Sequence, residues 1–280
     1  MKDLDDGKQD NKKKKMAEQN ARISKNLAKI KRKLAVMSGK GGVGKTTVAV
    51  NLACAFANEG KQVGVMDVDI HGPNVPMMFG LGGRQLSADD GGIIPVKVNK
   101  NLSVISMAFL LPDPDSPVIW RGPMKIQAIN QFIGDVQWGE LDYLVVDLPP
   151  GTGDESLSIA QQIKGAEAII VTTPQDVALL DSRKAVNFAR QLNMPVLGII
   201  ENMSGMKCPH CGRDIDLFKV GGGERAAREM GVPFLGRRSI DPDVVLMGDA
   251  GTPIVFQDEN SDSAKTFASI AKRIEETRSK

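Results

Sequence analysis

The nine residues Gly39-Lys40-Gly41-Gly42-Val43-Gly44-Lys45-Thr46-Thr47 constrain this chain more than any other stretch, because from Gly39 to Thr46 they fit the pattern G-x-x-x-x-G-K-[ST]. Leu34 to Met37, in front, is a short apolar run of the kind that forms a buried strand. Thr47 to Asn58, behind, is rich in Ala and Val and reads as a helix. A glycine-rich turn between strand and helix points several backbone N–H groups into one hollow, at the positive end of the helix dipole. Glycine is needed there because a Cβ would keep a phosphate off the backbone. In this pattern the lysine, here Lys45, neutralises the terminal phosphates and the Thr46 hydroxyl ligates the accompanying Mg²⁺. The whole segment is therefore the candidate site of a nucleoside triphosphate.

Carboxylates recur at the ends of the other apolar runs. Val63 to Asp67 predicts a second buried strand leading into Asp67-Val68-Asp69-Ile70-His71-Gly72-Pro73-Asn74. In open α/β sheets ligands bind outside the carboxyl ends of the strands. Strand alternation puts Asp67 and Asp69 on one side if the extension persists. Beside a phosphate loop, such a pair suits the Mg²⁺ water shell and the attacking water; capping of a turn by one of them is the plainer reading. Gly72 and Pro73 stop the strand and suit a mobile switch. Tyr143 to Asp147 is another apolar run closing on an acid, a pattern that holds Mg²⁺ directly or through water. Pro149-Pro150-Gly151-Thr152-Gly153-Asp154 follows, stiff and then flexible, with Gly151 or Gly153 as the hinge of a loop that senses the terminal phosphate.

A length of 280 residues suits one generous α/β domain. Further strands are predicted at Leu102 to Met107, Ala168 to Thr172, Val196 to Ile200 and near Phe234. Helices are predicted at about Met124 to Val136, 154–164, 176–193, 222–231, 242–249 and 261–278. This alternation implies right-handed crossovers, hence a mostly parallel central sheet with helices on both faces. Residues 75–100 read as irregular, and 112–117 as a loop, with Trp120 as packing and Arg121 as a candidate contact for an anionic group. Residues 1–33 carry twelve Lys or Arg against five Asp or Glu; that excess of seven outweighs the chain's net charge of +2, so the remainder is acidic. Residues 1–15 are too poor in apolar side chains to order themselves and read as a disordered, solvated basic tail, an electrostatic contact with nucleic acid or anionic lipid being the less favoured alternative. Residues 16–30 read as a helical extension with Ile23, Leu27 and Ile30 along one face, and 31–280 as the nucleotide-binding domain. The early lysines lead into no apolar stretch, and no run approaches the roughly 18 apolar residues of a membrane span. With three cysteines in all, the expectation is a cytoplasmic protein without a disulfide framework.

Cys208-Pro209-His210-Cys211-Gly212 is the second chemical feature, part of an insertion at about 203–223. Two thiolates at C-x-x-C spacing can bind one metal or cluster, and the glycine helps the turn. One such pair is half a site, and a symmetric dimer supplies the other half: four thiolates then suit a bridging [4Fe–4S] cluster or Zn²⁺ equally. A redox pair or a structural role remain as alternatives. Cys54, on the apolar face of the helix after the phosphate loop, reads as core packing.

Lys-Gly-Gly-Val-Gly-Lys-Thr-Thr resembles the deviant Walker A motif of the ATPases that include nitrogenase iron protein and the cell-division and plasmid-partition ATPases. The resemblance implies ATP as the nucleotide and a nucleotide-sandwich homodimer in which Lys40 reaches the partner's nucleotide. It also implies that Asp69 orients or deprotonates the attacking water, and that Asn202, just past the Val196–Ile200 strand, recognises the base; without the resemblance, a turn-forming Asn202 is as good a reading. Ile200-Glu201-Asn202-Met203-Ser204, the Cys-Pro-His-Cys-Gly run, Gly221-Gly222-Gly223-Glu224-Arg225 and Gly231-Val232-Pro233-Phe234-Leu235-Gly236 are similar to the Mrp/NBP35/ApbC group of iron–sulfur cluster carrier ATPases, over about residues 31–275. That resemblance implies a labile [4Fe–4S] cluster between paired Cys208 and Cys211, passed on to apo iron–sulfur client proteins. Members of the group carry an extra small domain or a cysteine cluster at this point in the chain; here the basic stretch stands there. A spatial-organising ATPase on DNA or membrane would share the nucleotide site but leave the cysteine pair without a purpose. An electron-transfer ATPase like nitrogenase iron protein would hold its cluster on cysteines far apart in sequence.

Overall fold

Apolar runs long enough for a strand but too short for a helix are stable when both of their faces are covered, and in this chain helices cover them. The computed structural model describes residues 2–70, 72–111 and 122–277. Its strands are β1 Ile30–Met37, β2 Val63–Asp67, β3 Ser87–Asp89, β4 Gly92–Ile94, β5 Val96–Lys97, β6 Leu102–Ser106, β7 Leu141–Asp147, β8 Ala166–Thr172, β9 Val196–Glu201, β10 Met206–Lys207, β11 Asp214–Ile215 and β12 Phe234–Arg237. Its helices are α1 Lys2–Leu27, α2 Lys45–Asn58, α3 Val75–Met78, α4 Gly122–Gly134, α5 Asp154–Gln162, α6 Asp176–Gln191, α7 Gly222–Met230, α8 Pro242–Asp249, α9 Ile254–Gln257 and α10 Asp262–Glu276. Eight strands form one sheet in the order β12-β9-β8-β1-β7-β2-β6-β5. All its pairings are parallel except that of β5, which runs antiparallel to β6 at the edge.

Side chains alternate across this sheet and build two cores. Leu34 and Val36 of β1 pack with Val48 and Leu52 of α2 and Phe267 and Ile270 of α10. Ala35 and Met37 join the opposite core, with Ile23 of α1, Ile129 and Phe132 of α4, Ile159 of α5, Val186 of α6 and Ala227 of α7. The result is the α/β sandwich, mostly parallel and flanked on both faces, that the alternation of elements predicts. No described helix is long and apolar enough to cross a membrane.

The N-terminal stretch departs from expectation. Residues 2–15 belong to α1 and are not an irregular tail, and α1 ends at Leu27. Ile30, expected on the helix, is instead the first residue of β1, paired with Leu141. Low apolar content speaks against burial, and residues 14–18 are exposed. It does not exclude a helix, which closes its own hydrogen bonds and which lysine tolerates well. The last turns of α1 dock Ile23 and Leu27 into the core, and Asn26 Nδ2 donates to the carbonyls of Ile133 and Gly134 at the end of α4 and of Val136 just after it. Residues 75–100 hold α3, the β3–β4 hairpin and β5 where no regular structure was expected. His71, the loop 112–117, Trp120 and Arg121 lie outside the described residues.

Candidate functional site

The loops after β1, β2, β7 and β9 all leave the sheet at the carboxyl ends of its parallel strands, where the strand dipoles and helix N-termini converge. Gly42 and Gly44 adopt left-handed backbone with φ of 77° and 78°, which an L side chain rarely takes. The two ends of the loop are tightly packed: a Cβ on Gly39 would lie 2.1 Å from the Asp181 carbonyl oxygen of α6, and one on Gly44 would lie 2.2 Å from Asn202 Nδ2, whereas one on Gly42 would meet nothing within 4 Å. Lys45 opens α2 and is buried. Its Nζ lies 2.6 Å from Asp147 Oδ1 and 3.5 Å from Asp69 Oδ2. Thr46 Oγ1 donates to Asp147 Oδ2 over 2.7 Å. Four of the predicted residues therefore form one polar cluster of a lysine, a threonine and two carboxylates. Burial pushes the Asp147 carboxyl above its usual range, with Lys45 and Thr46 opposing the rise.

Asp67 takes a different part from the one expected. Regular strand stops at Asp67, so the extension that would have aimed Asp67 and Asp69 alike does not persist. Asp67 Oδ2 accepts from the Ser106 hydroxyl over 2.8 Å and from the Val75 amide over 3.3 Å, and Oδ1 accepts from the Asp69 amide over 3.2 Å. Asp67 thus braces the segment after β2 from behind, while Asp69 faces Lys45. Burial, then the neighbouring Asp147 charge, raises the pKa of Asp67 to about 8. On the other side the Gly151 amide, at φ 87°, donates to the Ser38 carbonyl over 2.9 Å, tying the loop after β7 to the strand end that enters the phosphate loop. Lys40 is partly exposed, and its carbonyl accepts from Ser38 Oγ.

Asn202 is engaged within the chain on both ends of its amide. Its Nδ2 donates to the Val43 carbonyl over 2.8 Å, and its Oδ1 accepts from Arg238 Nη1 over 2.7 Å. With the residue 1% exposed, this amide props the phosphate loop and presents no free edge to a base in this arrangement. Arg238 is itself buried, and desolvation lowers its pKa to about 10.

Cys208 and Cys211 lie on the turn that joins the two strands of a ribbon, β10 paired with β11. Cys208 N donates to the Arg213 carbonyl over 2.8 Å, Gly212 N to the Cys208 carbonyl over 2.9 Å, and Gly212 has φ 70°, so the loop closes tightly around the pair. Hydrogen bonds from the backbone of His210 and Cys211, and from the Cys211 side chain, hold the Cys208 thiol below its ordinary pKa. Donor set and backbone both fit a soft metal or cluster, which binds the thiolate form. Cys208 is partly exposed and Cys211 exposed, whereas Cys54 is buried, as predicted for packing. Among the described residues no three His, Cys, Asp or Glu side chains come together as a metal site, so one chain offers the pair alone.

Glu201, fully buried at the end of β9, escaped the sequence reading. Its carboxylate accepts from the Ser204 hydroxyl, from the Gly221 amide over 2.9 Å, from the Gly223 amide and from Arg237 Nε over 2.9 Å. Burial alone would raise its pKa; these donors outweigh burial and bring it below the usual value. The signal was present, since Val196-Leu197-Gly198-Ile199-Ile200-Glu201 is an apolar run closing on an acid, as at Asp67 and Asp147.

Comparison with known proteins agrees with this arrangement. The model of the family described as NUBPL iron-transfer P-loop NTPase matches residues 29–275. A protein of Methanocaldococcus jannaschii called iron-sulfur cluster carrier protein is 51% identical over 265 residues, covering 94% of this chain and 91% of its own. One of the same name from Saccharolobus solfataricus is 48% identical over 90% of this chain and 86% of its own. Among solved structures, a nucleotide-binding protein of Archaeoglobus fulgidus in complex with ADP, with Co found in it, superposes with a TM-score of 0.77 at 39% identity, over 89% of this chain and 96% of that one. The Pyrococcus furiosus cell division ATPase MinD, at 24% identity and a TM-score of 0.64 over 89% of this chain and 100% of its own, shares the fold. With the family model spanning the sheet, the phosphate loop and the cysteine ribbon together, this chain belongs to the NUBPL iron-transfer P-loop NTPases.

Proposed function

We propose that the chain is an ATP-dependent carrier that binds a [4Fe–4S] cluster between the Cys208 and Cys211 pairs of two copies and passes it to apo iron–sulfur proteins. The observation that carries this reading is the accessible cysteine pair: two thiols presented on a tight turn, that of Cys208 held below its ordinary pKa, with no third ligand beside them among the described residues. The names of the relatives, and the ADP bound by the Archaeoglobus structure, support it from outside.

The nucleotide's phosphates would lie over the amides of Gly41 to Thr46, and Lys45 would exchange part of its pairing with Asp147 for the terminal phosphates. Thr46 and Asp147 would hold Mg²⁺, which draws charge from the phosphate oxygens. Asp69, free of the bracing that occupies Asp67, orients or deprotonates the attacking water. Lys40, at the loop's rim, reaches the partner's nucleotide.

Anaerobic reconstitution with iron and sulfide tests the cargo. About four irons per dimer are expected, together with their loss in a Cys208→Ala/Cys211→Ala variant. Iron binding that survives the double substitution, or zinc that iron does not displace, would remove the cluster from the reading and leave an ATPase with a structural pair.

A further inference from the structure

Two consecutive residues, Glu201 and Asn202, grip the two halves of the molecule that a carrier must connect. Asn202 holds the phosphate loop at the Val43 carbonyl and abuts Gly44. Glu201 holds both ends of the cysteine-bearing insertion: Ser204 where the chain enters it, Gly221 and Gly223 where the chain returns into α7. The fit at the return is tight, since a Cβ on Gly223 would lie 2.9 Å from Glu201 Cβ. The next strand repeats the division. Arg237 pairs with Glu201, and its neighbour Arg238 with Asn202.

The backbone around this point is fixed from the sheet side and hinged on the insertion side. Asn202 N donates to the Thr172 carbonyl over 2.8 Å, Arg238 N to the Glu201 carbonyl over 2.8 Å, and Ser204 N to the Arg238 carbonyl over 2.9 Å. Directly beyond, Met203 has φ 55° and Gly205 φ 72°; at the far end Lys219 has φ 72° and Gly221 φ 86°. Left-handed backbone is uncommon outside glycine, and two non-glycine residues adopt it here, one at each end of the insertion. Farther out, Lys207 and Lys219 reach Asp262 and Asp176 through exposed ion pairs, which resist displacement little. The buried carboxylate is therefore the side chain that grips both ends of the cysteine lobe, beside a backbone tie at its entry, where the Gly205 carbonyl accepts from the Ile240 amide over 2.8 Å.

We infer that Glu201 is the positioning residue of the cysteine pair, and that with Asn202 it forms a strut that transmits the phosphate loop's conformation to Cys208 and Cys211. A nucleotide that draws the loop's amides onto its phosphates displaces the Val43 carbonyl, Asn202 follows, and the neck of the lobe moves with Glu201. This inference rests on the carrier reading for its purpose, but its test needs neither iron nor turnover.

The test is the alkylation of Cys208 and Cys211 by iodoacetamide in the metal-free protein, with and without Mg·ADP, resolved by peptide. Cys54, being buried, serves as an internal control for unfolding. ADP should change the rate in the wild type by about fivefold or more, the ordinary scale of coupling between sites. Glu201→Gln, which keeps the size of the side chain but turns an amide N–H₂ toward the donors, should lose that change while its ADP affinity, measured by calorimetry, stays that of the wild type. A wild type whose alkylation ignores ADP, or a Glu201→Gln variant that keeps the full response, would overturn the strut. If Glu201→Gln does not fold, Ser204→Ala decides, because it removes one of four donors and leaves the carboxylate paired with Arg237: a smaller response supports the strut, and an unchanged one overturns it. The iron count in reconstituted protein is a separate measurement, so failure of the carrier reading and failure of the strut are told apart.

Discussion

Cys54 and Cys208 are both free thiols, and their surroundings give them opposite chemistry. Burial in the core beneath the sheet pushes the Cys54 thiol far above its ordinary pKa. Backbone donors from His210 and Cys211 lower that of Cys208, because N–H groups stabilise a thiolate more than a thiol. Thiolate being the reactive form, the pH profile of alkylation at Cys208 should have its midpoint below that of an ordinary cysteine, about 8.5. Since the Cys211 side chain contributes, Cys211→Ala should move the midpoint upward, and peptide-resolved alkylation between pH 6 and 10 measures both. A Cys208 profile like that of a model thiol would contradict the hydrogen bonding described for the turn. The same groups that favour thiolate at the turn suit it for accepting a metal at neutral pH, which Cys54 cannot do.

At the scale of elements, strands tied by buried polar pairs are the points where one side chain decides stability. Arg32 of β1 makes a two-pronged ion pair with Glu167 of β8, at 2.8 and 3.0 Å, and donates to the carbonyls of Ile274 and Thr277 at the end of α10. Glu167 is 5% exposed. Arg32→Ala would leave its charge buried without this partner, so a loss of about 3–5 kcal/mol is expected in urea unfolding, whereas Glu167→Gln together with Arg32→Met should cost much less. Equal losses in the two variants would mean that packing, and not charge, holds the strands there. The elements themselves were largely legible in the residues: β2 spans the run read as a strand, and the starts of α6, α7 and α8 fall at the residues read for them, because apolar periodicity is a local property. What escaped is non-local. Asp67 and Asp69 are alike in sequence, and only the packing of Ser106 and Val75 against Asp67 separates a brace from a group facing Lys45. Asn202 offers a polar edge in the sequence, and the fold engages it with the Val43 carbonyl and with Arg238. Glu201 gained its importance from residues up to 36 positions away, a convergence that no window along the chain contains. The basic stretch before Ile23 failed for a different reason, since low apolar content predicts exposure and was taken to predict disorder.

At the scale of the whole molecule, one chain carries two thiols of a larger ligand set and a second lysine at the rim of its phosphate loop. Cys208 and Cys211 supply two thiolates where a tetrahedral metal or a cluster takes four, and Lys40 lies at the rim of a loop whose own phosphate lysine is Lys45. The proposed two-fold axis would complete both at once, since an isologous contact would present each chain's pair and each chain's rim to the other. The proposed dimer makes a sharp demand of mixed pairs. Lys45→Ala should destroy the nucleotide site of its own chain, and Lys40→Ala should cripple the site of the chain opposite, so each variant alone should release almost no phosphate from ATP. In a dimer of one Lys40→Ala chain and one Lys45→Ala chain, the first contributes an intact Lys45 and the second lends its Lys40 to that same nucleotide, which restores one complete site. Random pairing of equal amounts makes half of the dimers mixed, each with one working site of two, so the mixture should recover about a quarter of the wild-type single-turnover phosphate release. If Lys40 instead serves the nucleotide of its own chain, every site in every mixed dimer lacks one of the two lysines, and the mixture stays as inactive as its parents.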